Sequence, residues 1–490
     1  MRAALLALLL VWPAAARAQA PSEIPPVPEA LDDDPAPLPA AAPPSQPFGP
    51  RYVLEGIVVR GNHKTDTAVI TRELGLAVGE VVGATDPRVE AARLRLFSLG
   101  YFLDVKFSLE KGARAPGAIL VVTVEERGTI IANAIYLGTS EATSLWGGLD
   151  VAETNFLGRG IGLGGGFVTS TRPKVPGADP ALALALRAAG PWRRDGFLTP
   201  YGNFLYSDGS EFFRAMGGVD ESKPADFVAV RTRRAGGTLG VGIDLTRTVR
   251  VSAEGRFESI TAVLPDQRTW QKPDGTLAPI DFGIHEGDSR LAALGVGFDI
   301  DNRSDPVLPT RGARASVTLQ TALPLLGSRY AYAKGVVQSS WYHPVGRHVV
   351  GVHGLAGAIF GDAPYFEQFF VGDLNLLLPP RALGLNFSTL PSRDFLGTSV
   401  AAHRYDNFAA RILVEYAVPL WRRHGFFYRG DAFAAFGAFA LASQDDLRVR
   451  DVPVGKAVPA DLTADLGLRL DTYVGIFTLS IANGLGRIPF

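Results

Sequence analysis

The stretch ARASVTLQTAL, residues 313–323, contains the pattern that decides the fold of this 490-residue chain. Its odd-numbered positions hold Ala, Ala, Val, Leu, Thr and Leu, whereas its even-numbered positions include Arg314, Ser316, Thr318 and Gln320. Successive side chains of a β-strand point to opposite faces, so this strand has one apolar and one polar face. A strand that separates hydrocarbon from a water-filled lumen requires this arrangement.

The same alternation extends through much of the chain beyond residue 128. It recurs in residues 408–420 and 462–470, whose polar faces carry Arg411, Glu415, Asp465 and Arg469. A soluble β-sandwich would alternate too, but an apolar face opposite a charge-bearing face, repeated over residues 128–490, favours the membrane. At roughly 20 to 25 residues per strand and connection, this region holds about 14 to 18 strands, and an even number is expected. The sequence therefore predicts a mainly β fold, with a transmembrane antiparallel β-barrel over residues 128–490.

The N-terminal segment has the features of a secretory signal. Arg2 precedes the apolar residues 3–11, and Ala16-Arg17-Ala18 forms a small-x-small cleavage site. These features predict a signal peptide over residues 1–18. A membrane anchor is the alternative, but the apolar stretch falls far short of the ~20 residues that cross a bilayer. We therefore expect an exported chain whose mature form starts near Gln19.

Residues 19–50 have the composition of a tether. Between Pro21 and Pro50 there are eleven prolines, five acidic residues and no basic residue. Such a segment cannot bury a core, so it is expected to be an extended, disordered and semi-rigid linker. We interpret it as a solvated spacer, with a binding role as the alternative.

Residues 51–127 predict a small α+β domain in the order β-α-α-β-β, because helix signals separate one strand pattern from two later ones. If the two helices cover one face of the sheet that the three strands form, residues 51–127 make a small domain of ordinary size. The expected elements are strands at 52–59, 102–109 and 119–125, a helix capped by Thr65 or Asp66 and closed by Gly75, and a helix opened by Asp86-Pro87 and closed by Gly100.

Two stretches of this domain, VVRGNHKTDTAVITRELGLAVGEVV (58–82) and LRLFSLGYFLDVKFSLE (94–110), resemble a polypeptide-transport-associated (POTRA) domain. Such a domain precedes the barrel in the BamA/TamA family of outer-membrane protein assembly, and the resemblance spans nearly all of residues 51–127. It implies a sixteen-strand barrel in the bacterial outer membrane, with one POTRA domain in the periplasm. It also implies contact with outer-membrane lipids, unfolded polypeptide clients and periplasmic or lipoprotein accessory factors, and no cofactor.

One motif of the barrel region resembles the family's Asp-x-Arg…Pro-Thr-x-Gly turn between two strands on the periplasmic side. The motif is DNRSDPVLPTRGARASV, residues 301–317. Pro309 and Gly312 are expected to punctuate the reversal of the chain, and Asp301 can pair with Arg303 across it. An ordinary hairpin turn is an equally good interpretation of the same residues.

The stretch FFVGDLNLLLPPRALGLNF, residues 369–387, is similar to the family's sixth extracellular loop, which folds back into the lumen. The resemblance implies that Arg381 docks in the lumen against Glu415 of the neighbouring strand, as a charge-assisted pair. Ala382 and Leu383 stand where the family has a glycine and an aromatic residue. We therefore expect a loop held less tightly, or by other contacts, than in the family's assembly factors. An unpaired loop arginine in wet surroundings is the alternative.

Residues 474–490 read as a strand that finishes on an aromatic residue. Asn483, Ile488 and Phe490 fit the barrel-insertion signal of the family, although Leu485 occupies the position of its glycine. Together with the signal peptide, this stretch indicates an exported chain that finishes as a barrel strand.

The sequence offers no recognisable pattern of catalytic or metal-binding residues. The seven histidines form neither HExxH nor another ligand spacing, and Gly-x-Ser-x-Gly does not occur. Gly160, Gly162 and Gly165 match GxGxxG, but the run continues as a glycine-rich strand, which argues against a nucleotide site. The 48 basic and 49 acidic residues give no reason to expect nucleic acid, and without cysteine there is no disulfide framework. We expect no enzyme, no metal and no cofactor.

Three functions remain compatible with the sequence. The resemblance implies assistance in the insertion and assembly of outer-membrane proteins, or polypeptide translocation across the outer membrane. A dedicated secretion pore for one polypeptide is the first alternative, although the proline-rich N-terminus cannot form the helix that plugs such pores. A divergent structural protein or small-solute pore is the second alternative, and the altered loop tip favours it.

Overall fold

The computed structural model describes residues 51–83, 86–140, 142–191, 197–216, 223–246, 248–272, 274–305, 308–370, 381–387, 405–422, 426–443 and 460–487. The predicted signal peptide and tether, residues 1–50, lie outside the described residues, as do Ile488 and Phe490 of the predicted terminal signal. No helix of the described residues is long and apolar enough to cross a membrane.

An N-terminal α+β domain opens the fold. Its elements are β1 (Arg51–Arg60), α1 (Thr67–Leu74), β2 (Val81–Gly83), α2 (Pro87–Ser98), β3 (Phe102–Lys111) and β4 (Gly117–Glu126). The sheet has the order β2-β1-β4-β3, in which β1 and β4 are parallel and the other neighbours are antiparallel. The predicted β-α-α-β-β domain is confirmed, with one short additional strand, β2, between the helices.

Local chemistry sets the ends of both helices. The side chain of Asp66 accepts a hydrogen bond from Ala68 N–H and caps α1, which Gly75 closes with a left-handed φ of 57°. Asp86 accepts from Arg88 N–H in the same way at the start of α2. The apolar faces of the helices and the sheet form one core, whose fully buried members include Leu54, Ile70, Leu74, Leu96 and Leu120.

The rest of the described chain is almost entirely β-structure. In chain order the strands are β5 (Ile130–Gly138), β6 (Trp146–Phe156), β7 (Ile161–Ser170), β8 (Leu182–Ala189), β9 (Leu198–Arg214), β10 (Phe227–Asp244), β11 (Val249–Val263), β12 (Thr269–Gln271), β13 (Leu277–Pro279), β14 (Gly287–Asp301), β15 (Gly312–Ala322), β16 (Ala331–Val345), β17 (His348–Asp362), β18 (Phe369–Phe370), β19 (Tyr405–Asp406), β20 (Phe408–Arg422), β21 (Phe427–Ala442), β22 (Ala460–Thr472) and β23 (Gly475–Arg487).

Fifteen of these strands form one antiparallel sheet, in which every strand pairs with its neighbours in the chain. The short pairs β12–β13 and β18–β19 lie in the connections and do not belong to it. The sheet curves into a nearly closed barrel, since its first and last strands meet at one end through a hydrogen bond from Ala132 N–H to the carbonyl oxygen of Val474. Its fifteen strands are roughly consistent with the expected sixteen.

The alternation predicted from the sequence separates an apolar outer surface from a charged inner surface. In β20, Ile412, Val414 and Tyr416 are exposed on the outside, whereas Leu413 and Glu415 between them are buried on the inside. An apolar surface of this extent requires hydrocarbon around it rather than water. Exposed apolar side chains in β14 and β22 continue the outer surface: Leu294, Val296, Phe298, Ile300, Leu466 and Leu468.

The turn between β6 and β7 is bound to the start of α1. Asp66 N–H donates a hydrogen bond of 2.9 Å to the carbonyl oxygen of Gly158. Asn155 Nδ2 donates one of 3.0 Å to Oγ1 of Thr65, and both side chains are almost completely buried. Oδ1 of Asn155 in turn accepts from Gly160 N–H at 2.8 Å. This turn fixes the N-terminal domain to one end of the barrel, which we call the domain end.

Glycine is required at this junction. Gly158 has a left-handed φ of 71°, and a Cβ atom on it would overlap the carbonyl oxygen of Lys64. Gly158 lies just before the GxGxxG match, and Gly160 of the match takes part in the same turn, so this glycine-rich stretch serves the contact between the N-terminal domain and the barrel. After the turn the run continues as strand β7, as the sequence predicted.

Glu126, the last residue of β4, binds the segment that leads into α1. Its carboxylate accepts hydrogen bonds from the backbone N–H groups of His63, Lys64 and Thr65 at 3.1, 2.9 and 2.7 Å. Burial acts to raise the pKa of Glu126, but the hydrogen bonds outweigh burial, and the pKa lies below its ordinary value of 4.5.

Replacing Asn155 with alanine should loosen the junction and leave the barrel folded. The substitution removes the partner of Thr65 Oγ1 and of Gly160 N–H, at a cost of roughly 1–3 kcal/mol. Amide hydrogen exchange of residues 64–66, measured on the full chain in detergent, should be faster by roughly 5- to 150-fold. The control N203A removes an exposed amide of β9 and should leave these amides unchanged. Equal exchange in the two variants would contradict the junction.

The carboxylate of Glu126 should make the N-terminal domain sensitive to pH. Because its folded-state pKa lies below the ordinary 4.5, its stabilisation is complete above about pH 4.5 and is lost as pH falls through the folded-state pKa. The amides of residues 63–65 should therefore exchange faster in E126Q than in wild type at pH 7. The two proteins should converge well below pH 4.5, after correction for intrinsic exchange rates. E110Q, which removes an exposed carboxylate of β3, is the control, and a difference that is independent of pH would refute the prediction.

Candidate functional site: the barrel seam and the lumenal loop

The fifteen-strand sheet has two edges, β5 and β23, which meet at the domain end. The hydrogen bond from Ala132 N–H to Val474 O is 2.7 Å long. Gly475 lies so close that a Cβ atom on it would come within 2.9 Å of the carbonyl oxygen of Ala132. Among the described residues, no strand ladder continues between β5 and β23 beyond this point. The barrel wall therefore has a seam between β5 and β23.

The two edges of the seam run in the same direction. β5 begins at the domain end, because the chain enters it directly from the N-terminal domain. Each step through an antiparallel sheet reverses the strand direction, so the fifteenth strand, β23, also runs away from the domain end. One further strand between the two edges would be antiparallel to both and could pair on each side.

The β23 edge is exposed on both faces. All residues from Ile476 to Ile481 are exposed, and Leu479 reaches 75%. In hydrocarbon, each backbone N–H or C=O without a partner costs several kcal/mol. The seam thus presents hydrogen-bonding groups that a further strand can satisfy. Asn483 of the predicted terminal signal lies in this strand, opposite Ala464 of β22.

The segment that follows β17 turns into the lumen. Its aromatic residues pack against inward-facing side chains of the wall and form the largest buried cluster of the barrel. The loop members of this cluster are Tyr365, Phe366, Phe369 and Phe370, and its wall members include Ile260, Leu291, Tyr332 and Ile359.

Glu367 is the charged anchor of this loop, and it is 5% exposed. Its Oε1 lies 2.7 Å from Nη1 of Arg256 in β11. Its Oε2 lies 3.4 Å from Nζ of Lys334 in β16, and the same Nζ donates to the Glu367 carbonyl oxygen at 2.7 Å. Two strands of the wall thereby hold one carboxylate of the loop.

The anchor continues along the wall as an ion-pair network. Arg256 also contacts Glu258 at 2.7 Å, and Glu258 accepts from Arg234 of β10 at 2.8 Å. The guanidinium of Arg234 lies 3.6 Å from the ring centroid of Phe366, a cation–π contact with the loop. This network was not predicted from the sequence, although charged residues at inward positions of neighbouring strands were a usable signal. The missed residues are Arg234, Arg256, Glu258, Lys334 and Glu367.

Arg381 also lies in the loop cluster, but its contacts differ from those expected. Its Nη1 and Nη2 donate to the carbonyl oxygens of Phe366 and Gln368 at 2.5 and 2.8 Å. Its guanidinium lies 5.0 Å from the ring centroid of Tyr405. The arginine therefore binds the loop to itself, by hydrogen bonds to backbone and by contact with aromatic rings.

The predicted pair of Arg381 with Glu415 is wrong in its partner. Both oxygens of Glu415 accept from Arg469 of β22, at 2.9 and 2.8 Å. Glu415 lies seven residues along β20 from its first residue, Phe408, which is roughly 23 Å toward the domain end. Arg381 lies beside Tyr405, before the start of that strand, so the two groups occupy different levels of the lumen.

The tip of the loop docks beside the first barrel strands. Ala382 and Leu385 exchange backbone hydrogen bonds of 2.8 and 3.0 Å, which make the tip a tight turn. The ring of Phe387 stacks on Trp146 of β6 with centroids 4.9 Å apart, and Ser140 Oγ donates to the Phe387 carbonyl oxygen at 2.8 Å. The loop thus connects β11 and β16 with β6, which is next to the seam strand β5.

The predicted turn motif forms a paired reversal at the domain end. Arg303 Nε and Nη2 donate to the two carboxylate oxygens of Asp301 at 2.9 and 2.7 Å. Gly312 has a φ of 97°, and a Cβ atom on it would lie 2.5 Å from the carbonyl oxygen of Asn302. A side chain at position 312 would therefore disrupt the turn.

Pro309 of the same turn lies at the opening of the lumen at the domain end. Together with Leu308 it lines a cavity of about 190 Å³ whose other walls include Glu415 and Arg469. The carbonyl oxygen of Leu308 accepts from Nη1 of Arg429 in β21 at 3.0 Å. The turn is therefore joined to the barrel wall on the far side of this cavity.

Removing the charge of Glu367 should release the loop from the wall. E367Q leaves the partly buried Lys334 without its carboxylate and leaves Arg256 with Glu258 alone, a loss of roughly 3 kcal/mol. Amides of residues 363–370 should then exchange roughly a hundredfold faster in the detergent-solubilised protein. The matched control is E286Q, whose exposed pair with Arg268 contributes about 1 kcal/mol or less. Similar exchange in both variants would show that Glu367 does not anchor the loop.

Comparison with known proteins gives two matching families. Residues 155–485 match the Omp85 superfamily domain, and residues 52–127 match the surface antigen variable number repeat, POTRA. The outer membrane protein assembly factor BamA of Nitratidesulfovibrio vulgaris (strain Hildenborough) is 22% identical over 352 residues. The match covers 70% of this chain and 39% of that protein, so the chain spans well under half the length of this relative.

A solved structure has a similar fold at low sequence identity. CdiB from Escherichia coli is similar with a TM-score of 0.56 and 14% identity, over 89% of this chain and 73% of that chain. BamA from Haemophilus ducreyi, lacking POTRA domains 1–3, gives a TM-score of 0.47 and 17% identity, over 89% and 81% of the two chains. Because the superfamily domain covers more than half of the sequence and a POTRA domain precedes it, the chain belongs to the Omp85 superfamily, with its barrel in the bacterial outer membrane and its POTRA domain in the periplasm.

Proposed function

We propose that this protein inserts or translocates polypeptides at the outer membrane by offering the seam between β5 and β23 to a strand of the client. The observation that carries the proposal is the pair of parallel strand edges, joined at the domain end by the bond from Ala132 to Val474. Membership of the Omp85 superfamily, and a relative named as an assembly factor, support assembly or transport rather than catalysis.

A client strand in the seam would pair on both of its sides. It would run antiparallel to β5 and β23, so its carboxyl end would lie toward the periplasm and its amino end toward the cell surface. Each N–H and C=O that it pairs removes an unsatisfied group from hydrocarbon. Transfer of its apolar side chains into lipid stabilises the inserted strand further, by about 25 cal/mol for each Å² of apolar surface removed from water. These terms can drive insertion without nucleotide hydrolysis.

The POTRA sheet provides an earlier contact for the client. Its outer strand β3 is ten residues long, and extended polypeptides bind such edges by β-augmentation. The POTRA domain is held close to the seam, because Arg127, the residue after β4, forms a buried ion pair of 2.7 Å with Asp471 near the end of β22. Lys64 Nζ also lies 3.4 Å from the hydroxyl of Tyr473, in the turn before β23. A client bound to the POTRA edge would be close to the seam strands.

A disulfide across the seam tests the proposal. The natural chain contains no cysteine, so A132C with V474C introduces a single pair. The backbone hydrogen bond between the two residues places their Cα atoms about 5 Å apart, within disulfide range. The control pair V241C/A253C joins β10 and β11, where the two residues lie directly opposite each other.

The expected result is a redox-dependent loss of function in cells depleted of the wild-type protein. The oxidised seam variant should fail to restore outer-membrane barrels, and reduction should rescue it, whereas the oxidised control should restore them. Loss of one exported polypeptide, with normal barrels, would instead identify a dedicated secretion pore. An unchanged outer-membrane proteome with the seam fully oxidised would refute strand entry at the seam and favour a structural or small-solute barrel.

A further inference from the structure

The segments that connect the strands differ in charge between the two ends of the barrel. The connections at the domain end contain eight arginines and two aspartates, whereas those at the opposite end contain sixteen acidic and twelve basic residues. Because the POTRA domain is attached at the domain end, this cationic end is the periplasmic one. By sequence, its arginines are Arg159, Arg193, Arg194, Arg247, Arg303, Arg311, Arg347 and Arg423.

Two of these arginines line one open groove at the rim of the barrel. The groove has a volume of about 510 Å³ and lies between the β14–β15 turn, the β16–β17 hairpin and the end of β20. We call it the rim groove, and its lining includes Arg311, Pro344, Arg347, His348, Leu420 and Trp421.

Among the described residues, no ion pair neutralises the charges of the rim groove. Arg311 and Arg347 are exposed, and no carboxylate among the described residues forms an ion pair with either, although Glu90 of α2 interacts electrostatically with Arg311. Arg303, in the same turn as Arg311, is by contrast bound to Asp301 through both carboxylate oxygens. The positive charges of the groove are thus available to an anionic ligand.

The groove lies where the apolar outer wall ends. Directly beside it, the ring of His348 contacts the outward-facing Tyr416, with centroids 5.4 Å apart. Trp341, on the outside of β16, stacks on His343 at the same distance. Leu420, which lines the groove itself, is 47% exposed. Amphipathic rings at the end of an apolar surface mark the level of the lipid headgroups.

We propose that Arg311 and Arg347 bind the phosphate-bearing headgroup of an anionic phospholipid in the periplasmic leaflet. Guanidinium groups match phosphate oxygens with two parallel hydrogen bonds, and their charge attracts an anionic surface. The apolar part of the groove, at Leu420 and Trp421, faces the level at which the acyl chains of such a lipid begin. This binding is independent of whether the seam accepts a client strand.

Native mass spectrometry of the full chain in detergent, with added lipid, tests the proposal. The variant R311Q/R347Q is compared with R290Q/R329Q, which removes two exposed arginines at the opposite end with the same change of charge. Wild type and R290Q/R329Q should retain phosphatidylglycerol in preference to phosphatidylethanolamine. R311Q/R347Q should bind phosphatidylglycerol roughly thirtyfold more weakly.

Other outcomes would overturn the lipid site. Equal retention of the two lipids by wild type, or equal losses in the two double variants, would remove the specific role of Arg311 and Arg347. Displacement of the lipid by millimolar inorganic phosphate would indicate a site for free phosphate instead. Unchanged lipid retention by R311Q/R347Q, with weakened binding of an acidic client peptide, would assign the groove to polypeptide. Heat-modifiable gel mobility of all variants verifies that the barrels are folded.

Discussion

Hydrocarbon offers no hydrogen-bond partner to a backbone amide or carbonyl, and this constraint governs the whole wall of the barrel. Along the sheet it is met strand by strand, because each of the thirteen inner strands has a partner on both sides. At β5 and β23 it is met at the domain end, where Ala132 bonds to Val474 and Gly475 permits the close approach. Beyond that point, within the part of the chain that the structure describes, the edges have no strand partner. The same constraint that builds the wall therefore makes the seam the place where an added strand gains most.

The inner face obeys a different requirement, since charges that are partly removed from water need partners. The barrel supplies them across strands rather than along one strand. Glu258 is shared by Arg234 and Arg256, and Glu367 is shared by Arg256 and Lys334. Because Glu367 belongs to the loop after β17, this arrangement makes the loop part of the wall. The contacts of the loop with β6 then relate this network to the first strands of the barrel, beside the seam.

The sequence was sufficient for features that depend on local pattern. Period-two alternation identified the barrel strands, and the caps and breaks of residues 51–127 identified the N-terminal domain. The pairing of Asp301 with Arg303 followed from two residues of one turn. Partners that depend on strand register cannot be identified from the alternation of residues along one strand. Glu415 and Arg469 both read as inward-facing, but their contact depends on how β20, β21 and β22 are staggered.

That stagger explains why the family resemblance gave the wrong partner for Glu415. Along β21, Ala435 lies opposite Glu415, and Asp431 lies opposite Arg469. The small side chain of Ala435 leaves the space in which the guanidinium reaches diagonally across β21 to the carboxylate. A pattern of alternation contains the identity of each inward residue but not the offset between strands, so it cannot select one partner among several.

The seam and the junction together limit how a client could enter. The contacts that join the two sides of the seam lie at the domain end: Ala132 with Val474, Arg127 with Asp471, and Lys64 with Tyr473. Two of these three contacts involve residues that belong to the POTRA domain or directly follow it. The spacing of the edges is therefore fixed where the POTRA domain is attached, and it is set by fewer constraints toward the cell surface. A strand that pairs with β5 and β23 would meet this end with its carboxyl end, so the contact between Ala132 and Val474 would have to open before that end could pair on both sides.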